Sequence, residues 1–179
     1  MKVIAFFGRK NSGKTTIVCK LLKSLRGKSV LVFKHISKPD FEIDREGTDT
    51  WKFFNSGARM VVGSSTNKLA IIARSNDIIN PLGALRALKM LGFDFEYVLI
   101  EGFHNLLGKN ERIYKVILTK NIPDLQELYN ECVRERLVAI VLNGISKDEI
   151  EPFISNIPIY DISEIDELAN MIKKLEDNL

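Results

Sequence analysis

The sequence predicts an α/β protein, a three-layer sandwich built on a mostly parallel sheet with an added antiparallel hairpin. Two observations lead there. Residues 3–7 and 30–33 are short apolar runs of strand length, and the segment between them has helical spacing. A strand–helix–strand order implies parallel strands joined by a right-handed crossover. Further on, Met60–Val62 and Leu69–Ala73 are strand-like runs around Ser64-Ser65-Thr66-Asn67, the pattern of a hairpin turn.

The first run, Val3 to Phe7, is rich in strand formers and ends at Gly8, as a buried strand does. Thr15 to Leu25 follows, with Ile17, Val18, Leu21, Leu22 and Leu25 on a helical period, and Gly27 is a plausible stop. Ser29 to Lys34 is the second strand. His35 to Asp49 is polar, carries Pro39 and Gly47, and is longer than an ordinary connection, a feature of functional loops. A short helix is expected over Thr50–Ser56, closed by Gly57, before the hairpin. Asn80-Pro81 opens a helix running to about Leu91, with proline at a first-turn position. Tyr97–Ile100 is a strand ending at Glu101-Gly102. A second polar loop, His104–Arg112, leads to the strand Ile113–Leu118. Asp124–Glu135 places Leu125, Leu128, Tyr129, Cys132 and Val133 on one helical face. Leu137–Leu142 and Ile157–Tyr160 read as strands and Ser163–Leu175 as the last helix. No repeat, low-complexity tract or linker interrupts the pattern, so residues 1–179 are expected to form one domain.

The composition narrows the function classes. With 179 residues the chain can bury a core without disulfides or a structural metal. Twenty-six basic and 23 acidic side chains give a net charge of +3, too mild to argue for nucleic acid or an anionic membrane. Cys19 and Cys132 form no Cys-x-x-Cys pair and are expected as small core residues. Two histidines exclude a His-rich metal site. The apolar start stops at Gly8-Arg9-Lys10, short of a secretory core, and no stretch approaches membrane-spanning length. A cytoplasmic protein is the expectation.

Gly8-Arg9-Lys10-Asn11-Ser12-Gly13-Lys14-Thr15 matches the Walker A pattern in full, between a predicted strand and a predicted helix. The glycines allow close approach of backbone to phosphate, and successive N–H groups form an anion nest. Gly8, Lys10, Asn11, Ser12, Gly13, Lys14, Thr15 and Thr16 are therefore the expected nucleotide-binding residues. Lys14 would neutralise the β- and γ-phosphates and Thr15 would offer its hydroxyl to Mg²⁺. Such a site also needs a carboxylate at a neighbouring strand tip. Glu101, after four apolar residues, is that candidate, a variation on the usual Asp; the plainer alternative is an acid that starts a surface loop. The loop after the second strand holds Asp40, Asp44, Glu46 and Asp49, with Lys34 and His35 at its start. Asp49 would orient metal-bound or attacking water, or would simply favour a helix start. Lys14, Asp49 and Glu101 are the candidate catalytic set, and Thr15 and Glu101 the candidate metal set.

These residues resemble the molybdopterin-guanine dinucleotide biosynthesis protein B (MobB) family. The likeness runs through Ile4–Gly8 into Asn11–Thr16, then Phe33-Lys34-His35, Asp44–Thr50, Phe54–Ala58, Val98–Phe103 and Pro158–Ile162. The resemblance implies a P-loop protein that binds GTP with Mg²⁺, hydrolyses it weakly, and assists guanylylation of molybdopterin in molybdenum cofactor biosynthesis beside a molybdopterin guanylyltransferase. It also implies a homodimer. The sequence departs from the family where Ile36-Ser37-Lys38-Pro39 replaces further histidines, where Thr48 replaces lysine in Gly-Lys-Asp, and where His104 follows Glu-Gly-Phe. Thr119-Lys120-Asn121 follows a strand as a guanine-reading motif would, but position 122 is Ile and Asp124 comes two residues late. Two other readings share the scaffold: a small-molecule kinase passing the γ-phosphate to an acceptor, and a non-catalytic module that docks a partner when nucleotide binds. Arg9, Arg45, Arg59 and Arg112 are the candidates for a transition-state arginine.

Overall fold

The computed structural model describes residues 1–38, 41–74, 80–150, 154 and 156–179; Asp40 lies outside them. In chain order the elements are β1 (Lys2–Phe7), α1 (Lys14–Ser24), β2 (Val30–Lys34), α2 (Asp49–Asn55), β3 (Met60–Ser64), β4 (Leu69–Ala73), α3 (Pro81–Met90), β5 (Tyr97–Glu101), α4 (His104–Leu107), β6 (Tyr114–Thr119), α5 (Ile122–Glu131), a 3-10 turn (Arg134–Arg136), β7 (Leu137–Leu142), β8 (Ile159–Asp161) and α6 (Ile165–Lys174). Two compact units result: Met1–His35 with Leu85–Leu179, and Ile36–Ala84.

The larger unit carries a six-stranded sheet in the order β2-β5-β1-β6-β7-β8, and every pairing is parallel. The expected α/β sandwich is what forms. The central strands are apolar on both faces because helices cover both. Side chains alternate across the sheet. Ile4, Phe6, Leu99, Val116, Leu118, Ala139 and Val141 pack with Ile17 and Leu21 of α1 and Leu168 and Ile172 of α6. Val3, Ala5, Phe7, Val98, Ile100 and Ile117 are equally buried with the opposite register. Helix α5 adjoins β6, and α4 adjoins β1. Lys115 interrupts the apolar run of β6, fully buried, with its ammonium donating to the Ile113 carbonyl at 3.1 Å and to that of Asn110.

The smaller unit contains α2 and the antiparallel hairpin β3–β4, in which Met60 faces Ala73 and Ser64 faces Leu69. Helix α2 is capped by Thr48, whose hydroxyl accepts from Trp51 N–H.

The strands are where the sequence places them, to within two residues. Three features depart from expectation. The 104–112 segment contains a helical turn, α4. Helix α5 spans Ile122–Glu131 rather than 124–135, because Cys132 turns extended and Val133 N–H bonds to the Gly108 carbonyl instead. Cys19 is exposed, not a core residue, while Cys132 is buried as expected. Among the described residues no helix is long and apolar enough to cross a membrane.

Candidate functional site

Strand β1 ends at Phe7 where the strand order reverses: β5 and β2 lie on one side of it, β6, β7 and β8 on the other. Open parallel sheets place ligands at such a point, outside the carboxyl ends of the strands. The loop Gly8–Gly13 leaves β1 here and runs directly into α1. Its backbone needs glycine twice. A Cβ on Gly8 would sit 2.4 Å from Ser12 Oγ and 2.5 Å from the Leu118 carbonyl oxygen, and Gly13 has φ +102°. Asn11, at φ 63°, takes the left-handed region that asparagine tolerates. Gly13 caps α1 with no side-chain acceptor, so the first-turn N–H groups of the helix face an open cradle.

The cradle is a cavity of about 450 Å³ lined by Lys10, Asn11, Ser12, Gly13, Lys14, Thr15, Thr16, Lys34 and Glu101. Seven of the eight nucleotide-binding residues expected from the motif line it, and Gly8 anchors the loop beneath. Lys14 Nζ donates to the carbonyls of Gly8 (2.8 Å) and Arg9 (2.7 Å) and reaches Ser12 Oγ at 3.4 Å. Burial pushes its pKa down; the nearby Glu101 opposes that shift and Lys34 adds to it.

Glu101 ends β5, in register with Phe6 of β1 on one side and Lys34 of β2 on the other. It is 8% exposed. Thr15 Oγ1 donates to both carboxylate oxygens at 3.0 Å. Lys34 Nζ donates to Glu101 Oε1 at 2.7 Å and to Thr15 Oγ1 at 3.2 Å. Glu101 is thus a buried strand-tip carboxylate in contact with the loop threonine. Gly102 follows at φ +91°, where a Cβ would lie 2.8 Å from the His35 Cβ. That close approach lets the chains leaving β2 and β5 run side by side.

A hydroxyl, a buried carboxylate and an amine-lined anion nest fit a nucleotide phosphate with Mg²⁺, which takes few protein ligands and keeps phosphate and water oxygens. Among the described residues no cluster of three or more His, Cys, Asp or Glu side chains offers an all-protein metal cage.

Two residues that motif reading left out belong to this site. Lys34 stands in the sequence at the start of a loop and within the Phe33-Lys34-His35 likeness, with no site role assigned to it; its place depends on β2 lying beside β5, which no local pattern reveals. Asn143, directly after β7, donates from Nδ2 to the Ser12 carbonyl at 3.2 Å and braces the loop. Arg9 pairs with Glu127 of α5. Asn121 caps α5, accepting from Asp124 N–H at 2.8 Å and donating to the Asp124 carboxylate at 3.0 Å. Asp49 opens α2 in the smaller unit, with Lys52 at 3.5 Å, so the helix-start role is what its own unit displays.

A family model described as MobB, molybdopterin guanine dinucleotide synthesis protein B, matches residues 3–143. A putative molybdopterin-guanine dinucleotide biosynthesis adapter protein of Methanocaldococcus jannaschii is 36% identical over 121 residues, 68% of this chain. The chain spans about half of that relative's length (48%). The molybdopterin-guanine dinucleotide biosynthesis adapter protein of Haemophilus influenzae is 30% identical over 137 residues, 70% of each chain. The crystal structure of Bacillus subtilis MobB superposes with a TM-score of 0.72 over 98% of this chain and all of that one, at 21% identity, a likeness of fold.

Proposed function

The chain belongs to the MobB family, and from that premise we propose that it is a GTP-binding adapter with weak Mg²⁺-dependent GTPase activity, acting in molybdenum cofactor biosynthesis where molybdopterin is guanylylated. The observation that carries the nucleotide part is the contact of Thr15 with Glu101 across the mouth of the Gly8–Thr15 loop. A hydroxyl from the first turn of α1 and a carboxylate at the tip of β5, held together, make the arrangement a phosphate-bound Mg²⁺ requires.

Each residue then has a role. The N–H groups of residues 10–16 receive the phosphates. Lys14 leaves the carbonyls of Gly8 and Arg9 to neutralise phosphate charge. Thr15 would supply a ligand oxygen, and Glu101 would hold the metal's water shell. Mg²⁺, when bound, would supply neutralisation of phosphate charge. Weak hydrolysis is expected on this reading because Arg9, the arginine within the loop, is held by Glu127. Guanine preference rests on the family, since Asn121 is occupied as a helix cap. The partner implied is a molybdopterin guanylyltransferase, with molybdopterin or the molybdenum cofactor as the shared cargo and a homodimer as the working form.

A small-molecule kinase of this type needs a basic lid over the phosphates. Residues 104–112 instead contain α4, and Lys109 donates to the Asn130 carbonyl at 3.0 Å.

Calorimetric titration with GTP and with ATP, each with Mg²⁺, tests the proposal. GTP should bind more tightly, and Lys14→Ala should weaken binding by about a hundredfold, the worth of one or two charge-assisted hydrogen bonds. Undiminished binding by Lys14→Ala would reject the site. Preference for ATP would leave the site standing and favour the kinase reading.

A further inference from the structure

Lys34 stands where the metal should go. Its ammonium is 2.7 Å from Glu101 Oε1 and 3.2 Å from Thr15 Oγ1, and the same Thr15 hydroxyl is 3.0 Å from both Glu101 oxygens. A positive charge thus sits between the two protein groups assigned to a divalent cation. The placement is built in by the backbone. Lys34 is the last residue of β2 and the direct register partner of Glu101, the last residue of β5, so both side chains start from neighbouring strand tips. His35 N–H donating to the Glu101 carbonyl at 2.9 Å extends the ladder one step further and fixes that pairing. The Glu101 side chain is 10% exposed while that of Lys34 is 48% exposed. The carboxylate is therefore fixed, and the ammonium, on a flexible stem with solvent beside it, is free to leave.

We propose that the Lys34 ammonium is an internal counter-ion that keeps Thr15 and Glu101 in their metal-binding arrangement when no metal is present, and that it competes with Mg²⁺ for them. The inference rests on the Mg²⁺–nucleotide reading of this site. A buried carboxylate without a partner is strained electrostatically, and a divalent cation and an ammonium cannot both sit on the same carboxylate and hydroxyl oxygens without strong repulsion. Metal arrival and lysine departure are consequently one event. The lysine lowers the site's apparent affinity for Mg²⁺ and makes the tip of β2 sensitive to whether metal is bound.

The test compares the wild-type chain with Lys34→Met and Lys34→Arg. Mg²⁺ is titrated into protein saturated with GDP, and thermal melting of nucleotide-free protein is followed in EDTA. Lys34→Met should bind Mg²⁺ about five- to tenfold more tightly, the worth of one partly exposed charge-assisted contact. It should also melt at a lower temperature than wild type in EDTA. Lys34→Arg keeps the charge and should behave as wild type in both. Lys34→Gln, which keeps a hydrogen bond to Glu101 without the charge, replaces Lys34→Met if that variant does not fold. Unchanged or weakened Mg²⁺ affinity in the uncharged variants overturns the counter-ion role. A wild-type chain that binds no nucleotide rejects the proposed function itself, so the two failures are distinguishable.

Discussion

Cys132 and Cys19 show how position decides the chemistry of one residue type. Burial pushes the Cys132 thiol up to about 11, with the ammonium of Lys115 pulling weakly the other way. Unfolded thiols ionise near 9, so between about pH 9 and 11 the native state holds a proton the unfolded chain has lost. Stability contributed by the neutral thiol is present below that window and falls as pH rises through it. Since the thiolate is the nucleophile, iodoacetamide at pH 8 should alkylate Cys19 within minutes and leave Cys132 unmodified until denaturant is added, as read by mass spectrometry of the intact chain. Equal labelling of both in the native protein would contradict the burial. Sequence periodicity assigned both to the core. Cys19 misleads because three of its four neighbours on the helix surface, Thr15, Thr16 and Lys23, are exposed and only Leu22 is half-buried, so it lies at the solvent flank of the face formed by Ile17, Val18 and Leu21. The Walker A residues were legible because a loop eight residues long carries its chemistry locally. Glu101 was legible because an acid after four apolar residues marks a strand tip. Lys34 and Asn143 were not, since their place depends on which strands are neighbours.

At the scale of elements, caps decide where helices begin. Asn121 satisfies the Asp124 N–H at the start of α5, and Thr119 Oγ1 donates to the Asn121 carbonyl at 2.6 Å. Replacing an N-cap asparagine by alanine costs about 1 kcal/mol. Asn121→Ala should therefore lower the unfolding free energy measured in urea by that amount and leave the ratio of GTP to ATP affinity unchanged, because the side chain serves the helix and not a base. A change in that ratio would return Thr119-Lys120-Asn121 to the list of base contacts. The βαβ order, the parallel sheet and the hairpin followed from apolar periodicity, which is strongest in β1, β5 and β6, where every residue of β5 and β6 and all but Lys2 of β1 is buried. Helix α4 escaped because one turn, with only Leu107 buried, has no period to detect. The end of α5 escaped because it is set at a distance: the Gly108 carbonyl takes Val133 N–H, and a Cβ on Gly108 would lie 2.6 Å from the Glu131 carbonyl oxygen.

Over the whole molecule the two units differ in how much they bury. Residues 3–7 of β1 and 98–100 of β5 are completely shielded. In the smaller unit, among the described residues, only Val61 and Pro81 are buried. On one face of its hairpin Met60, Val62, Leu69 and Ile71 remain 59, 56, 49 and 43% exposed. A two-stranded ribbon with so little apolar burial is marginal by itself, and local opening follows local burial. Native-state hydrogen exchange measures this directly. Amides paired between β1 and β5 and between β1 and β6 should exchange only through global unfolding, with protection that tracks the stability found in urea. Those paired between β3 and β4 should exchange faster by at least about a hundredfold, through openings that leave the large sheet intact. Mild denaturant should speed exchange at the large-sheet positions steeply and at the hairpin hardly at all, because the hairpin opening exposes little surface. Adding Mg²⁺ and nucleotide should slow exchange in the β1, β5 and β6 amides by mass action on global unfolding. If the hairpin amides showed the same protection as β1 and the same dependence on denaturant, the two units would be one cooperative body and the difference in burial would have no energetic consequence.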